Sequence, residues 1–181
     1  MSDTDTKAGL EVLFSPEAIA RRIDELALEI AAAELERPLV VPIMTGSFMF
    51  SADLLRGMHR AGLTPEVDFL SLTSYRHGTI SSGSVGLVRD MELDVAGRDV
   101  LVVDDILDTG RTLAYAKDLI AARGARRLLT CVLLNKPVRR AVPMVADFVA
   151  FECPPLFVVG YGMDLANRYR ELPFVGRVVS R

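Results

Sequence analysis

Three acidic residues follow an apolar run near the middle of the chain and precede a turn rich in threonine. Asp104 and Asp105 come directly after the run at 100–103, and Asp108 follows three residues later. In an open α/β sheet, ligands bind where strands end and helices begin. The free N–H groups and partial positive charge of a helix N-terminus suit a phosphate. We therefore expect a phosphate-binding site lined by Asp104, Asp105, Asp108, Thr109, Gly110, Arg111 and Thr112.

The three carboxylates of this segment would repel a phosphate if nothing stood between them. A divalent cation removes the conflict, and an all-oxygen set of ligands favours Mg²⁺. Carboxylates also accept hydrogen bonds from ribose hydroxyls, so the segment favours a ligand that carries a phosphate and vicinal hydroxyls and that binds a metal ion. Phosphoribosyl pyrophosphate meets all three conditions. Any one of these aspartates alone is more typical of a helix cap or a solvated turn, whereas the whole pattern at 102–113 favours a binding site.

The elements that must position this segment alternate between apolar strands and amphipathic helices. Ser15 and Pro16 favour the start of the first helix, as a cap and as a first helical residue. Pro42 is unusual in a strand because proline cannot donate to the ladder, so it fits a strand end or an unpaired side. The alternation predicts an α/β fold with a mostly parallel sheet flanked by helices. Strands are predicted at 39–44, 67–72, 99–103, 127–134, 148–151 and 157–159, and helices from Ser15, at 47–59 and at 110–122.

Two segments lack the period of either element. Residues 76–86 are rich in glycine and serine, which predicts a mobile loop. Residues 1–10 are mostly polar and are predicted to form a disordered tail. No linker divides the chain, so a single domain over 1–181 is expected.

Composition narrows the class of protein. The chain has 181 residues, a net charge of -3 and two cysteines, Cys131 and Cys153, without metal-ligand spacing. The charge does not suggest a nucleic-acid partner, which usually requires a basic surface. The N-terminus has no apolar leader core, and no apolar run reaches membrane-spanning length. We therefore expect a cytoplasmic protein with no membrane partner.

The segment at 102–113 resembles the phosphoribosyl-pyrophosphate-binding motif of type I phosphoribosyltransferases. Four further stretches resemble bacterial hypoxanthine-guanine phosphoribosyltransferases, and the likeness extends from about residue 15 to 179. The resemblance implies the type I fold, with a small hood formed by terminal segments. The four stretches are 46–50 with Asp53 and Leu54, 67–69 with 73–75, 133–137, and 157–164 with 168–170.

The resemblance also implies an activity. Such an enzyme serves purine salvage by transferring the phosphoribosyl group from phosphoribosyl pyrophosphate to hypoxanthine and/or guanine, giving IMP or GMP and pyrophosphate. Its partners would be phosphoribosyl pyrophosphate and a 6-oxopurine base, its cofactor Mg²⁺, and its assembly a homodimer or homotetramer.

Individual roles carry over to matching positions. Asp104 and Asp105 would bind the ribose hydroxyls and Mg²⁺, and Asp108 would be the general base near purine N7. The 5′-phosphate would be held by residues 109–112. Pyrophosphate would meet Thr45, Gly46 and Arg170. The purine would be bound by Lys136 at its 6-oxo group, by stacking on Phe157, by the Val158 backbone, and by Asp164, which would also serve a second Mg²⁺; Ser74 and Tyr75 would belong to a lid.

The chain departs from the family pattern at two positions. Asp104 stands where many relatives have glutamate, so the first acid has a shorter reach toward a metal. Thr45 stands where relatives usually have lysine or arginine before the glycine of the pyrophosphate loop. That loop would therefore bind through its backbone N–H groups rather than through a charged side chain.

Three other functions are compatible with the same fold. An RNA-binding attenuation regulator of the uracil pathway would commonly have a non-acidic residue in place of Asp108 and would lack the stretch at 157–164. This chain has both of these enzyme features. The other two alternatives are a phosphoribosyltransferase for xanthine or another base, and a non-catalytic homologue that only senses the ribose donor.

Overall fold

The computed structural model describes residues 9–74 and 85–179. Ten strands and three α-helices lie within these residues, together with one short 3-10 helix at Pro137–Arg139. The strands are β1 (Gly9–Phe14), β2 (Leu39–Met44), β3 (Glu66–Val67), β4 (Leu70–Ser74), β5 (Val85–Arg89), β6 (Asp99–Leu107), β7 (Arg127–Asn135), β8 (Phe148–Glu152), β9 (Val158–Val159) and β10 (Val175–Val179). The helices are α1 (Pro16–Ala31), α2 (Phe48–Arg60) and α3 (Arg111–Ala121).

The central sheet has the strand order β5-β4-β2-β6-β7-β8, with the short β3 paired to β2 before β4 begins. Strand β2 runs parallel to β3, β4 and β6, and the parallel arrangement continues through β7 to β8. Only β5, at the edge described here, pairs antiparallel with its neighbour β4. The predicted mostly parallel sheet flanked by helices is confirmed.

Two apolar cores cover the two faces of this sheet because successive strand residues point to opposite faces. Helices α1 and α2 pack on the face that carries Val40 and Leu101. Helix α3 packs on the face that carries Val41 and Val102. The first helix begins as predicted, since Ser15 Oγ accepts a hydrogen bond from the Ala18 N–H at 3.3 Å.

Pro42 occupies the one place along β2 where a neighbouring ladder is interrupted. Val40 pairs with Val67 of β3, and Ile43 pairs with Leu70 of β4, which leaves a break beside Val41 and Pro42. A residue without an N–H is tolerated there. The predicted strand at 67–72 is wrong in this respect, because it is divided into β3 and β4.

The division is stabilised by the carboxylate of Asp68. Asp68 Oδ2 accepts the N–H groups of Glu92 and Leu93 at 2.6 and 2.8 Å, and Oδ1 accepts the N–H of Phe69 at 2.7 Å. A buried carboxylate with three donors bends the chain away from the ladder at this point.

The chain ends build a second, smaller sheet in the order β1-β10-β9, which is the expected hood. Gly9 and Leu10 belong to β1 and pair with Val179 and Val178, so the predicted disordered tail over 1–10 is wrong for its last two residues. Their N–H and C=O groups pair with a strand from the opposite end of the sequence.

The boundaries of two other elements also differ from prediction. The expected loop at 76–86 ends earlier, because Val85 and Gly86 belong to β5, and residues 76–84 lie outside the described residues. Strand β6 continues to Leu107, four residues beyond the predicted end, and so includes Asp104 and Asp105.

None of the helices in the described parts of the chain is both long and apolar enough to cross a membrane.

Candidate functional site

The carboxyl end of β6 divides the two adjacent aspartates between two cavities. Asp104 is 5% exposed and borders a cavity of about 100 Å³ that Asp108, Thr109, Gly110 and Thr112 also line. Asp105 borders a larger cleft of about 470 Å³. Because alternate strand residues point to opposite faces, two neighbours on one strand serve different pockets.

The Asp104 carboxyl group is held close to a second negative charge. Burial of Asp104, reinforced by the neighbouring Asp105 carboxylate, raises the pKa of Asp104 well above its usual range. Asp104 Oδ1 accepts the Asp105 N–H at 3.0 Å. The pair therefore has an unmet demand for positive charge, which a cation or a hydrogen-bond donor of a ligand would supply.

The smaller cavity lies at the start of α3. Gly110 has a φ of 84° at the N-cap position, which glycine adopts without strain. The Thr109 carbonyl accepts the N–H groups of Ala141 and Val142 at 2.9 and 3.1 Å, and these two bonds fix the turn. The N–H groups of the first helical turn are the donors that a phosphate requires.

Asp108 lies at the mouth of this turn with one oxygen paired and one unpaired. Asp108 Oδ2 is 3.5 Å from Arg139 Nη1. Asp108 Oδ1 is buried and has no hydrogen-bond partner among the described residues. A buried carboxylate oxygen without a donor can accept a proton from a ligand, so this geometry suits a general base.

Sequence analysis did not find the Arg139 contact. The basic run Lys136-Pro-Val-Arg-Arg directly after β7 could have indicated it. Strand β7 is the parallel neighbour of β6, so the carboxyl ends of both strands meet at one edge and bring this run close to Asp108.

The larger cleft brings together most of the expected pyrophosphate, purine and metal residues, whereas Lys136 and Asp104 do not line it. A Cβ on Gly46 would overlap Asp105 Oδ2, and a Cβ on Gly162 would overlap the Gly46 carbonyl oxygen. Only glycine allows the backbone to approach a carboxylate or another backbone this closely. The cleft is lined by Thr45, Gly46, Asp105, Phe157, Val158, Asp164 and Arg170 from the expected set, and by Ser71, Leu72, Thr73 and Met163 in addition.

Asp164 and Arg170 form an ion pair on one wall of the cleft. Arg170 Nη2 is 2.7 Å from Asp164 Oδ1, and Arg170 Nη1 donates to the Gly162 carbonyl at 2.6 Å. Asp164 Oδ2 accepts the Asn167 N–H at 2.8 Å. Both oxygens of Asp164 are thus engaged within the protein.

Lys136 is buried beneath the loop that carries the expected purine-stacking residue. Lys136 is only 8% exposed, and its Nζ donates to the Leu156 carbonyl at 2.8 Å. Burial lowers the pKa of the Lys136 ammonium. Phe157, the next residue along that loop, is 62% exposed, while Val158 is buried in β9. One donor of Lys136 is therefore used to hold this loop, and two remain.

The donor set suits a magnesium ion that shares its ligands with a substrate. Among the residues described, no group of three or more His, Cys, Asp or Glu side chains could hold a metal alone. Mg²⁺ is commonly bound by one or two carboxylates together with substrate phosphates and water. Asp105 and Asp164 on the walls of one cleft fit that mode, and Asp104 lies on the other side of β6.

The expected lid is only partly described. Ser74 is the last residue of β4, and Tyr75 lies outside the described residues.

Comparison with known proteins shows the family of the chain. Residues 10–165 match the family model described as the phosphoribosyl transferase domain. The chain is 40% identical over 167 residues to the hypoxanthine-guanine phosphoribosyltransferase of Bacillus subtilis, covering 92% of this chain and 91% of that protein. It is 45% identical to the bifunctional protein TilS/HprT of Listeria innocua, again over 92% of this chain, but spans only 25% of that protein's length.

A solved structure shares the whole architecture. The hypoxanthine phosphoribosyltransferase of Trypanosoma cruzi, in complex with the product IMP, superimposes with a TM-score of 0.86 at 36% identity, over 100% of this chain and 98% of that one. The type I fold and the resemblance seen in the sequence are thereby confirmed. The chain belongs to the phosphoribosyl transferase domain family and, within it, to the hypoxanthine-guanine phosphoribosyltransferases.

Proposed function

We propose that the protein is a purine-salvage enzyme that transfers the phosphoribosyl group of phosphoribosyl pyrophosphate to hypoxanthine and/or guanine. The products are IMP or GMP and pyrophosphate. The observation that carries the proposal is the pair of cavities on either side of β6, one at a helix N-terminus and one lined by Gly46, Asp105 and Asp164. This substrate is a ribose with a phosphate at one end and a pyrophosphate at the other, and the two cavities offer a place for each anionic end.

The smaller cavity takes the 5′-phosphate. The first turn of α3 supplies N–H donors, Thr109 and Thr112 add hydroxyls, and Gly110 permits close approach. Arg111, which is exposed, adds positive charge at the rim. The carboxylates of Asp104 and Asp105 accept hydrogen bonds from the ribose hydroxyls between the two cavities.

The larger cleft takes pyrophosphate and the base. Thr45 is exposed, so the loop binds pyrophosphate through backbone N–H groups around Gly46, with Arg170 as the nearby cation. Phe157 presents its ring for stacking, and the Val158 backbone reads the edge of the purine. Lys136 donates to the 6-oxo group, which excludes adenine because its 6-amino group would face another donor.

Proton removal falls to Asp108. As the bond between the ribose carbon and pyrophosphate breaks, positive charge develops on the ribose ring. The purine nitrogen bonds to the same carbon, the positive charge passes to the base, and Asp108 Oδ1 is free to accept the proton that the base loses near N7. Nearby carboxylates stabilise the positive charge that develops on the ribose ring. Mg²⁺ held by Asp105, and a second Mg²⁺ held by Asp164, each together with substrate oxygens, would neutralise the charge of the departing pyrophosphate in the larger cleft, and Asp104 would bind metal or ribose from the other side of β6.

Four further parts of the proposal concern the surroundings of the site. Ser74, the last residue of β4, would contribute to a lid that keeps water from the activated sugar. The protein acts in the cytoplasm as a homodimer or homotetramer, without a nucleic-acid or membrane partner.

A panel of bases tests the function. Hypoxanthine, guanine, xanthine, adenine and uracil are each incubated with phosphoribosyl pyrophosphate and Mg²⁺, and nucleotide formation is followed. We expect turnover with hypoxanthine or guanine, very little with adenine, and none with excess chelator. Turnover with xanthine alone would reassign the base. Tight RNA binding measured by calorimetry, without turnover of any base, would support the attenuation regulator instead.

A further inference from the structure

A buried tyrosine links the purine side of the cleft to the helix that follows the pyrophosphate loop. Tyr161 is 6% exposed, and its hydroxyl donates to Asp53 Oδ2 at 2.6 Å. Asp53 lies on α2, which begins two residues after Gly46. Neither side chain lines the larger cleft; both border a separate cavity of about 360 Å³ between α1, α2 and the segment at 171–173.

The backbone around Tyr161 needs an external anchor. Tyr161 has a φ of 50° and stands between Gly160 and Gly162, whose φ values are 93° and 100°. A bulky residue in the left-handed region is uncommon and persists where its surroundings hold it. The Tyr161 N–H donates to the Leu172 carbonyl at 2.9 Å, and the side chain is held by Asp53.

The residue after Tyr161 is the point where the two walls of the cleft meet. Gly162 lies against the carbonyl of Gly46 so closely that a Cβ would overlap it. The Gly162 carbonyl also accepts from Arg170, whose other nitrogen pairs with Asp164. A shift of Tyr161 would therefore move Gly162 and change the spacing between the pyrophosphate loop and the pair Arg170–Asp164.

We propose that Tyr161 and Asp53 are a positioning pair that holds the Gly162 turn against Gly46, and so sets the site that receives pyrophosphate. The proposal rests on the function proposed above for the larger cleft. It assigns no chemical step to either residue, since both act through Gly162.

Steady-state kinetics of conservative variants test the pair. Tyr161→Phe removes only the hydroxyl, and we expect it to raise the KM for phosphoribosyl pyrophosphate about tenfold, the order of one lost buried hydrogen bond. The kcat and the KM for hypoxanthine should change less than threefold, about the range of ordinary surface changes. Asp53→Ala should match Tyr161→Phe, whereas Asp53→Asn keeps an acceptor oxygen and should restore most of the affinity. The double variant Tyr161→Phe with Asp53→Ala should be no worse than either single variant.

A matched control separates positioning from general stability. Thr130→Val removes another buried hydroxyl that bonds a carboxylate, Asp147, at 2.8 Å, in β7 away from the cleft. It should lower Tm to a similar degree without raising the KM for phosphoribosyl pyrophosphate. If Tyr161→Phe lowers Tm but leaves this KM unchanged, or if Thr130→Val raises it equally, the pair has only a structural role.

Binding of Mg²⁺-pyrophosphate, measured by calorimetry on the same variants, separates this inference from the proposed function. A wild-type protein that binds pyrophosphate but turns over no purine would contradict the function alone. The pair would still be supported if Tyr161→Phe weakened pyrophosphate about tenfold. Equal affinity for pyrophosphate in the wild type and Tyr161→Phe would contradict only the positioning role of Tyr161 and Asp53. A wild type that does not bind pyrophosphate would contradict both that role and the proposed function.

Discussion

The backbone of Gly46 lies directly against the carboxylate of Asp105, with no room for a side chain between them. Gly46 belongs to the loop after β2, and Asp105 to the neighbouring parallel strand β6. The contact places the backbone N–H donors of one loop beside the acid expected to meet Mg²⁺ and ribose. The width of the cleft at this point therefore depends on glycine.

Gly46→Ala should raise the KM for phosphoribosyl pyrophosphate by at least tenfold, because the added methyl group would displace Asp105 or the loop. Thr45→Lys should change the same KM only a few-fold, since the Thr45 side chain is exposed and the loop binds through its backbone. Both values come from initial rates at saturating hypoxanthine. An improvement of about a hundredfold in Thr45→Lys, roughly 2.7 kcal/mol, would show that the loop depends on side-chain charge.

Asp108→Asn should lower kcat by roughly 10²–10⁴-fold, the usual contribution of a general base. Affinity for phosphoribosyl pyrophosphate should persist, because the donors around Gly110 are untouched. Single-turnover rates and calorimetric titration measure the two quantities separately. Arg139→Gln is a useful companion, since it removes the contact at Asp108 Oδ2 and leaves Oδ1 unchanged. Near-normal turnover of Asp108→Asn would remove the residue from the mechanism.

Lys136→Ala should weaken hypoxanthine and guanine far more than phosphoribosyl pyrophosphate. The structure adds a second expectation, because Lys136 Nζ holds the Leu156 carbonyl. Losing that bond should loosen the loop at 154–157 and lower Tm. Lys136→Arg, which keeps a charged donor, should restore more of Tm than of base affinity, as a guanidinium has a different shape. Equal weakening of both substrates by Lys136→Ala would show that the lysine is only structural.

The Tyr161 hydroxyl should make the stability of the protein fall at alkaline pH. Burial, reinforced by the hydrogen bond to Asp53, raises the pKa of Tyr161 far above its ordinary value. An unfolded tyrosine ionises near pH 10. Above that pH the unfolded chain loses a proton that the folded chain keeps, so the free energy of unfolding decreases. The contribution is fully present below about pH 10 and is lost progressively as pH rises further.

The matched measurement is the difference in unfolding free energy between the wild type and Tyr161→Phe, taken by urea denaturation between pH 8 and 11. Other alkaline titrations, including that of buried Cys131, are common to both proteins and cancel in the difference. We expect the wild-type advantage to be constant at the lower end and to shrink above about pH 10. A difference that is independent of pH would contradict a protonated, buried Tyr161 hydroxyl.

The features predicted well from the sequence are those set by neighbouring residues. Ser15 and Pro16 begin α1 through a cap and a fixed φ, and Gly110 precedes α3 with a positive φ that glycine adopts without strain. The twelve-residue pattern at 102–113 can be interpreted without knowing any distant contact, because the strand, the acids and the threonine-rich turn follow one another along the chain. Local sequence therefore determined the class of fold and the place along the chain where we propose the phosphate site.

The tertiary structure decided what depends on partners far apart in sequence. Gly9 and Leu10 look like a tail until β10, about 170 residues away, supplies their hydrogen bonds. The strand beyond Val103 extends because β7 pairs with it, and that extension is what separates Asp104 from Asp105. No local period reveals the contacts of Asp108 with Arg139 or of Tyr161 with Asp53. These contacts exist only because the parallel sheet and the hood bring helices and loops from separate parts of the chain together.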